Sequence, residues 1–435
     1  MPTSAKANAT TSRRAPRVLT VVPDFPFPAT TGLHLRHVGN LELIRRLGCY
    51  SALLYFSVEG REPLPLEATP LPRLCDEVRH GGRRFLHTDF STASLVGHKL
   101  DFLLRGALGL PGTRYPFSMS YDRIGAQQII VAEAQRVEAD FVVLPSFMVH
   151  YAAALQRKGF RVVADAIDVL TELSARLLES YATDKGGRLS LYANHLACGT
   201  QERVFLPQCD EIWATSPAEA EMLAAMAPKA NVIAVANTLD EDAFLPGALV
   251  AGADVGFIGT YSSAPNLQAA RFLAEEVFPL LLRKNPGACL KLAGANLPRD
   301  KESRLRALGY VDLLGAAADS NEFYSQCRVI ALPVFVRGGV PLKLVESMAR
   351  EKPVVACPEL IAGLPVQDGR DVLVCDGAGP FAEAISRLLG DDALCRELGR
   401  NGRETFMRNW SRAHAEGVMR RSSVLATAPA QEAYV

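Results

Sequence analysis

Short runs of consecutive apolar residues recur along the chain, separated by longer stretches in which apolar positions return every third or fourth residue. In the first half the runs are Val18 to Val22, Ala52 to Phe56, Phe141 to Leu144, Arg161 to Asp165, Ile212 to Ser216 and Val232 to Ala236. In the second half they are Val255 to Gly259, Leu290 to Gly294, Val311 to Leu314, Val329 to Leu332, Val354 to Cys357 and Val372 to Cys375. A run that is apolar at nearly every position fits a strand covered by helices on both faces, and strands alternating with helical stretches build mainly parallel sheets. The pattern predicts an α/β protein with two doubly wound Rossmann-like domains of about six strands each, facing across a cleft, with ligands held beyond the carboxyl ends of the strands.

The pattern breaks over Asn237 to Ala253, where Thr238-Leu-Asp-Glu-Asp242 and Pro246 intervene, which sets a first domain at 17–240 and a second at 241–405. Residues 1–16 contain no acid and no apolar core segment, so they read as a disordered arm and not as a secretory signal. The polar, small-residue tail at 422–435 is expected to fray from Ser422.

Composition narrows the functional classes. Hydrophobic residues make up 49% and charged residues 22% of the 435 positions, a globular balance. Lys plus Arg equals Asp plus Glu at 47 each, so no global electrostatic grip on nucleic acid is expected and an anionic ligand must be held by local groups. No apolar run approaches the roughly 18 residues that span a bilayer. The nine cysteines are odd in number and form no C-x-x-C pair, which predicts a reducing, cytoplasmic setting and no structural zinc.

The richest stretch is Leu332-Pro-Val-Phe-Val-Arg-Gly-Gly-Val-Pro-Leu-Lys-Leu-Val-Glu-Ser-Met-Ala-Arg350, followed by Lys352-Pro-Val-Val-Ala356. A strand ends near Pro333, Gly338 and Gly339 allow the backbone to turn close to a ligand, and Pro341 suits the first turn of a helix running to about Arg350. The first free N–H groups of that helix and its positive dipole end suit a phosphate. Lys343 and Glu346 are one turn apart on one face, so Lys343 is placed to neutralise a diphosphate oxygen and Glu346 to accept hydrogen bonds from vicinal sugar hydroxyls. The same letters also describe a solvated i, i+3 pair on a surface helix.

This stretch resembles the donor-binding segment of the glycosyltransferase family 4 / group 1 proteins, in particular a bacterial exopolysaccharide-type branch with Gly-Gly, then Lys-x-x-Glu-x-Met-Ala and Lys-Pro-Val-Val. Val255-Gly-Phe-Ile-Gly-Thr-Tyr-Ser-Ser-Ala-Pro-Asn266, Ala362-Gly-Leu364, Asp368-Gly-Arg-Asp-Val-Leu-Val374 and Phe381 to Leu389 resemble further segments of that branch. The similarity is strong from about Val255 to Trp410 and weaker from Arg17 to Leu239. It implies a GT-B fold and retaining, metal-independent transfer of a sugar from a nucleotide-diphosphate sugar to a glycan, lipid-linked or small-molecule acceptor. It makes Gly32, Gly259, Gly338, Gly339, Val340 and Glu346 the donor-binding set, with no other cofactor. Asp168, Arg337 and Lys343 form the catalytic set, and 406–421 becomes a helix crossing back to the first domain, anchored by Trp410. One departure stands out: members with a full E-x7-E motif carry an acid where this chain has Gly338.

In the first domain, Pro23-Asp-Phe-Pro-Phe-Pro-Ala-Thr-Thr-Gly32 resembles the family's first loop, whose glycine faces the donor phosphates or the acceptor, although Gly32 also suits a plain helix start. His34 and Arg36 follow and could face the cleft. Asp165 and Asp168 end a strand at its carboxyl side, and Asp168 matches the family's acidic loop. An N-cap for the helix Leu170 to Leu178 is the alternative role. Glu202, Arg203 and Ser216 read as structural, and Asp240-Glu-Asp242 as a linker turn and not a metal motif. An apolar stretch from Ala93 to Leu110 suits a peripheral contact with the inner membrane face, an acceptor groove or a covered core helix. Other readings of the whole chain are a nucleotide-sugar epimerase or phosphorylase on the same architecture, or a non-catalytic sugar-nucleotide-binding partner in polysaccharide synthesis.

Overall fold

The computed structural model describes residues 14–29, 32–58, 62–84, 121–122, 124–181, 185–316, 320–336, 340–423 and 425. Seven strands form the first sheet: β1 (Arg17–Val22), β2 (Tyr50–Val58), β3 (Glu77–Arg84), β4 (Phe141–Pro145), β5 (Arg161–Ala166), β6 (Glu211–Ala214) and β7 (Asn231–Ala234). Six form the second: β8 (Asp254–Ile258), β9 (Cys289–Ala293), β10 (Val311–Gly315), β11 (Val329–Leu332), β12 (Val354–Ala356) and β13 (Leu373–Val374). The orders are β3-β2-β1-β4-β5-β6-β7 and β10-β9-β8-β11-β12-β13, and every strand pairing is parallel. Strand order therefore reverses between β1 and β4 and again between β8 and β11, the two places where a doubly wound sheet opens a crevice.

The first sheet is one strand wider than the hydrophobic pattern predicts. Its extra strand, β3, reads Glu-Val-Arg-His-Gly-Gly-Arg-Arg and pairs with β2 alone among the described residues, so Arg79, His80 and Arg83 are exposed and the strand carries no apolar run. The Ile212 to Ser216 run ends early as a strand, because Ser216 turns to cap the helix Pro217–Met226 by accepting from Glu219 N. All nine cysteines are free thiols.

The first domain has a core on each sheet face. One gathers Leu19, Leu54, Val142, Leu144, Val162 and Ile212, and the other Val18, Phe141, Val143, Val163 and Trp213. The second face is completed by the chain's last helix, Arg412–Met419, through Ala415, Val418 and Met419. Burying these side chains contributes about 1.5–3 kcal/mol for each large one. The crossing starts at Trp410, which belongs to the second-domain core and accepts from Leu239 N at 3.2 Å. Arg412 then reaches Asp240 Oδ2 at 2.6 Å and also pairs with Glu42, while Glu241 accepts from the Arg412 N–H at 2.8 Å. The acids of the linker thus hold the returning helix.

The expectation that the chain frays from Ser422 is corrected by the structure. Ser422 Oγ donates to Glu211 Oε1 at 2.5 Å, Ser423 N and Oγ donate to Glu211 Oε2, and Leu425 is buried. Glu211 lies buried at the start of β6 and requires these donors, which a polar composition alone does not reveal.

Candidate functional site

The helix Leu342–Ala349 follows β11, so its amino end faces the crevice where the second sheet reverses order. Lys343 is drawn inward. Its Nζ donates to Asn266 Oδ1 at 2.5 Å and lies 4.5 Å from the centre of the Phe257 ring. Gly259, at the end of β8, makes this possible: a Cβ there would stand 3.0 Å from Lys343 Nζ and 2.8 Å from Asn266 Cγ. Burial pulls the Lys343 ammonium down to about 7, opposed only in part by Glu346.

Glu346 is also shielded, with 14% of its side chain exposed. Burial pushes its carboxyl upward, while Arg350, at 3.7 Å, and hydrogen bonds with Tyr324 and Ser320 favour the charged form. Arg350 is itself buried over the rings of Phe244 and Tyr324, at 4.3 and 4.4 Å, and donates to Asn321 Oδ1 and Ser320 Oγ. The pair is therefore not a solvated surface bridge. Lys343 is cradled by Asn266 and the Phe257 ring, and Glu346 by Arg350, Tyr324 and Ser320.

Beside them a cavity of about 310 Å³ opens at the carboxyl ends of β8, β9 and β10, lined by Tyr261, Gly294, Asn296, Arg306 and Gly315 among others. Gly294, at φ +142°, donates its N–H to Gly315 O at 2.7 Å, and a Cβ on it would fall 1.9 Å from Gly259 O. At Gly259 and Gly294 nothing larger fits, whereas at Gly315 there is space and the positive φ of +70° is what favours glycine. Sequence reading missed this pocket, along with Asn266, Tyr324 and Arg350; the glycines closing the apolar runs at Gly259, Gly294 and Gly315 were its visible signal.

Across the cleft the helix Gly32–Arg46 begins opposite the Leu342 helix, and a Cβ on Gly32 would lie 3.6 Å from Leu342 Cδ1. Two helix amino ends thus converge on one crevice. His34 Nε2 lies 3.2 Å from Asp24 Oδ1 within the first loop. Arg36, by contrast, is fully buried and donates to Asp165 Oδ1 at 2.7 Å, Val235 O at 2.8 Å and Asn237 Oδ1 at 3.0 Å. Asn40 donates to the second Asp165 oxygen at 3.0 Å. Asp165 is a clamp between β5 and the first helix, so of the two acids ending β5 only Asp168 is partly exposed. At the helix Leu170–Tyr181, the Glu202 carboxylate accepts from Leu170 N at 2.5 Å and Thr171 N at 3.0 Å.

Val340 packs its side chain into the second-domain core. Arg337, Gly338 and Gly339 lie outside the described residues, as does the apolar stretch from Ala93 to Leu110. Among the described residues no helix is long and apolar enough to cross a membrane.

Two parallel sheets of this order, facing across a cleft lined by helix amino ends, define a GT-B protein. Residues 252–391, within the second domain, match the family described as "Glycosyl transferases group 1". The chain is 28% identical over 159 residues to EpsD of Bacillus subtilis (strain 168), which bears a glycosyltransferase name, covering 35% of this chain and 41% of that protein. It is 30% identical over 167 residues to the exopolysaccharide phosphotransferase SCO2592 of Streptomyces coelicolor, covering 34% of this chain and 17% of that protein. The chain therefore spans less than half the length of either relative. Among solved structures, sucrose-phosphate synthase from Thermosynechococcus elongatus superposes with a TM-score of 0.66 at 17% identity, over 93% of this chain and 97% of that one. A TarM mutant of S. aureus, in complex with ligands that include UDP, superposes at 0.65 and 10% identity over 95% and 100%. Anabaena Alr3699/HepE in complex with UDP superposes at 0.58 and 14% identity over 92% and 97%.

Proposed function

We propose that the protein transfers a sugar from a nucleoside-diphosphate sugar to a hydroxyl-bearing acceptor, with retention at the anomeric carbon and without a metal ion. The observation that carries this is the pairing of Lys343 and Glu346 on a helix whose amino end meets that of the Gly32 helix across the cleft. In this reading the diphosphate lies on the free N–H groups of the Leu342 helix, and Lys343 takes up a proton as the phosphate charge arrives. Arg337 and the Gly338/Gly339 backbone complete the anion's surroundings, and Glu346 accepts from the ribose hydroxyls. The base occupies the cavity at Gly294 and Asn296. The UDP complexes of HepE and TarM support a uridine diphosphate donor.

The acceptor rests on the first domain, with Asp168 beside the reacting sugar. As the bond to the leaving phosphate breaks, negative charge grows on the diphosphate and is stabilised by Lys343 and the helix end, while a phosphate oxygen takes the acceptor's proton on the same face. Closure of the two domains excludes water that would otherwise hydrolyse the donor.

The test is turnover of a panel of UDP- and GDP-sugars with glycan, lipid-linked and small hydroxyl acceptors, following release of free nucleotide and the anomeric configuration of the product by NMR. Release should depend on acceptor, persist in excess chelator and give a retained product. Donor binding with no turnover on any acceptor, or an inverted product, would overturn the reading.

A further inference from the structure

A second cavity, of about 410 Å³, opens where the two domains and the returning helix meet. Its walls come from three directions: Ile233 and Ala234 of β7, Val340 and Leu364 of the second domain, and Trp410 and Val418 of the returning chain. The polar groups in the wall are already engaged. Thr215 donates to Glu219, Ser216 accepts from Glu219 N, and Asn409 donates to Thr405 O at 2.8 Å. An apolar interior of this kind offers water few partners and suits a hydrocarbon body.

Its rim has a different character. His414 and Arg421 line the cavity from the last helix and the turn after it, and neither the ring nor the guanidinium has a hydrogen-bond or ion-pair partner among the described residues. The acid closest in sequence, Glu416, is held by Arg420 at 2.7 Å and Arg46 at 3.7 Å. The charge at the mouth is that of Arg421, since burial and Arg421 itself hold the His414 imidazole towards its neutral form; a cavity apolar within and carrying a guanidinium at its mouth complements a molecule that is apolar along its length and anionic at one end. Its volume lies within the roughly 300–1,000 Å³ of small-molecule sites.

We propose that this cavity binds a lipid phosphate, with the hydrocarbon chain between Ile233, Leu364 and Trp410 and the phosphate at Arg421 and His414. The cavity borders the Lys343 crevice at Val340 but takes its other walls from β7, Leu364 and the returning chain, and the proposal does not depend on the transferase reading. Because its walls belong to both domains, an occupant fits one interdomain angle.

The test uses the full chain and calorimetry with octyl phosphate, octanol and inorganic phosphate. Octyl phosphate should bind at one site, and octanol about tenfold or more weakly, as expected when a charge-assisted contact is lost. Inorganic phosphate alone should not register at the same concentration. Arg421→Glu, at an exposed position, should weaken octyl phosphate about tenfold or more without changing the unfolding temperature or UDP affinity. Ala234→Trp should abolish binding by filling the cavity. Equal affinity for octanol and octyl phosphate, binding of inorganic phosphate as tight as octyl phosphate, undiminished affinity in Arg421→Glu, or no binding to the wild-type chain would each overturn the proposal.

Discussion

Lys343 carries its charge loosely. Because burial lowers its pKa to about 7, the unfolded chain holds more protons than the folded one between that value and the ordinary 10.5. Its cost to stability is therefore full below about pH 7 and fades as the pH rises towards 10.5. Lys343→Met should accordingly stabilise the fold at pH 7 and below while losing diphosphate affinity, which paired denaturation and UDP titrations can check. Above pH 7 the wild-type protein should take up a proton when UDP binds, seen as a dependence of the binding enthalpy on the buffer's ionisation enthalpy and absent in Lys343→Met. Glu346→Gln should act differently, weakening uridine and UDP alike by about 1–3 kcal/mol in calorimetry, because the contact proposed for it is to ribose. Spacing alone placed Lys343 and Glu346 on one face. It did not separate their cradles, because Asn266, Phe257 and Arg350 reach them from elements distant in sequence. Asp165 and Asp168 looked alike at the end of an apolar run for the same reason, since the Arg36 that claims one of them comes from the first helix.

At the level of elements, the apolar runs revealed strands buried on both faces and passed over β3, whose edge position allows it to be polar. The strand ends are more demanding than their letters suggest. At Gly294 the conformation and the 1.9 Å approach of Gly259 O leave no room for a side chain. Gly294→Ala should push β8 and β9 apart beside the cavity proposed for the base, costing about 1–3 kcal/mol in denaturant unfolding and weakening UDP binding. Wild-type nucleotide affinity in that variant would mean that the base lies elsewhere.

Over the whole molecule, the two domains are joined at neighbouring points, where Leu239 leaves the first domain and Ser411 returns to it, paired in a short parallel bridge. Arg412 stands at that junction between Glu42 and Asp240, each only partly covered. Arg412→Ala should leave those two acids facing one another, lowering stability by about 1–3 kcal/mol, with the first domain's transition moved down in calorimetry. An unmoved transition would mean that Ala415, Val418 and Met419 hold the helix unaided. The paired entry and exit also have a topological consequence: the second domain is an insert within the first, with its two ends side by side. A cut between Leu239 and Ser411 would let the corresponding domain of another protein be inserted without rerouting the chain, and on the proposed function such a chimera should take its nucleotide preference from the insert and its acceptor preference from the host.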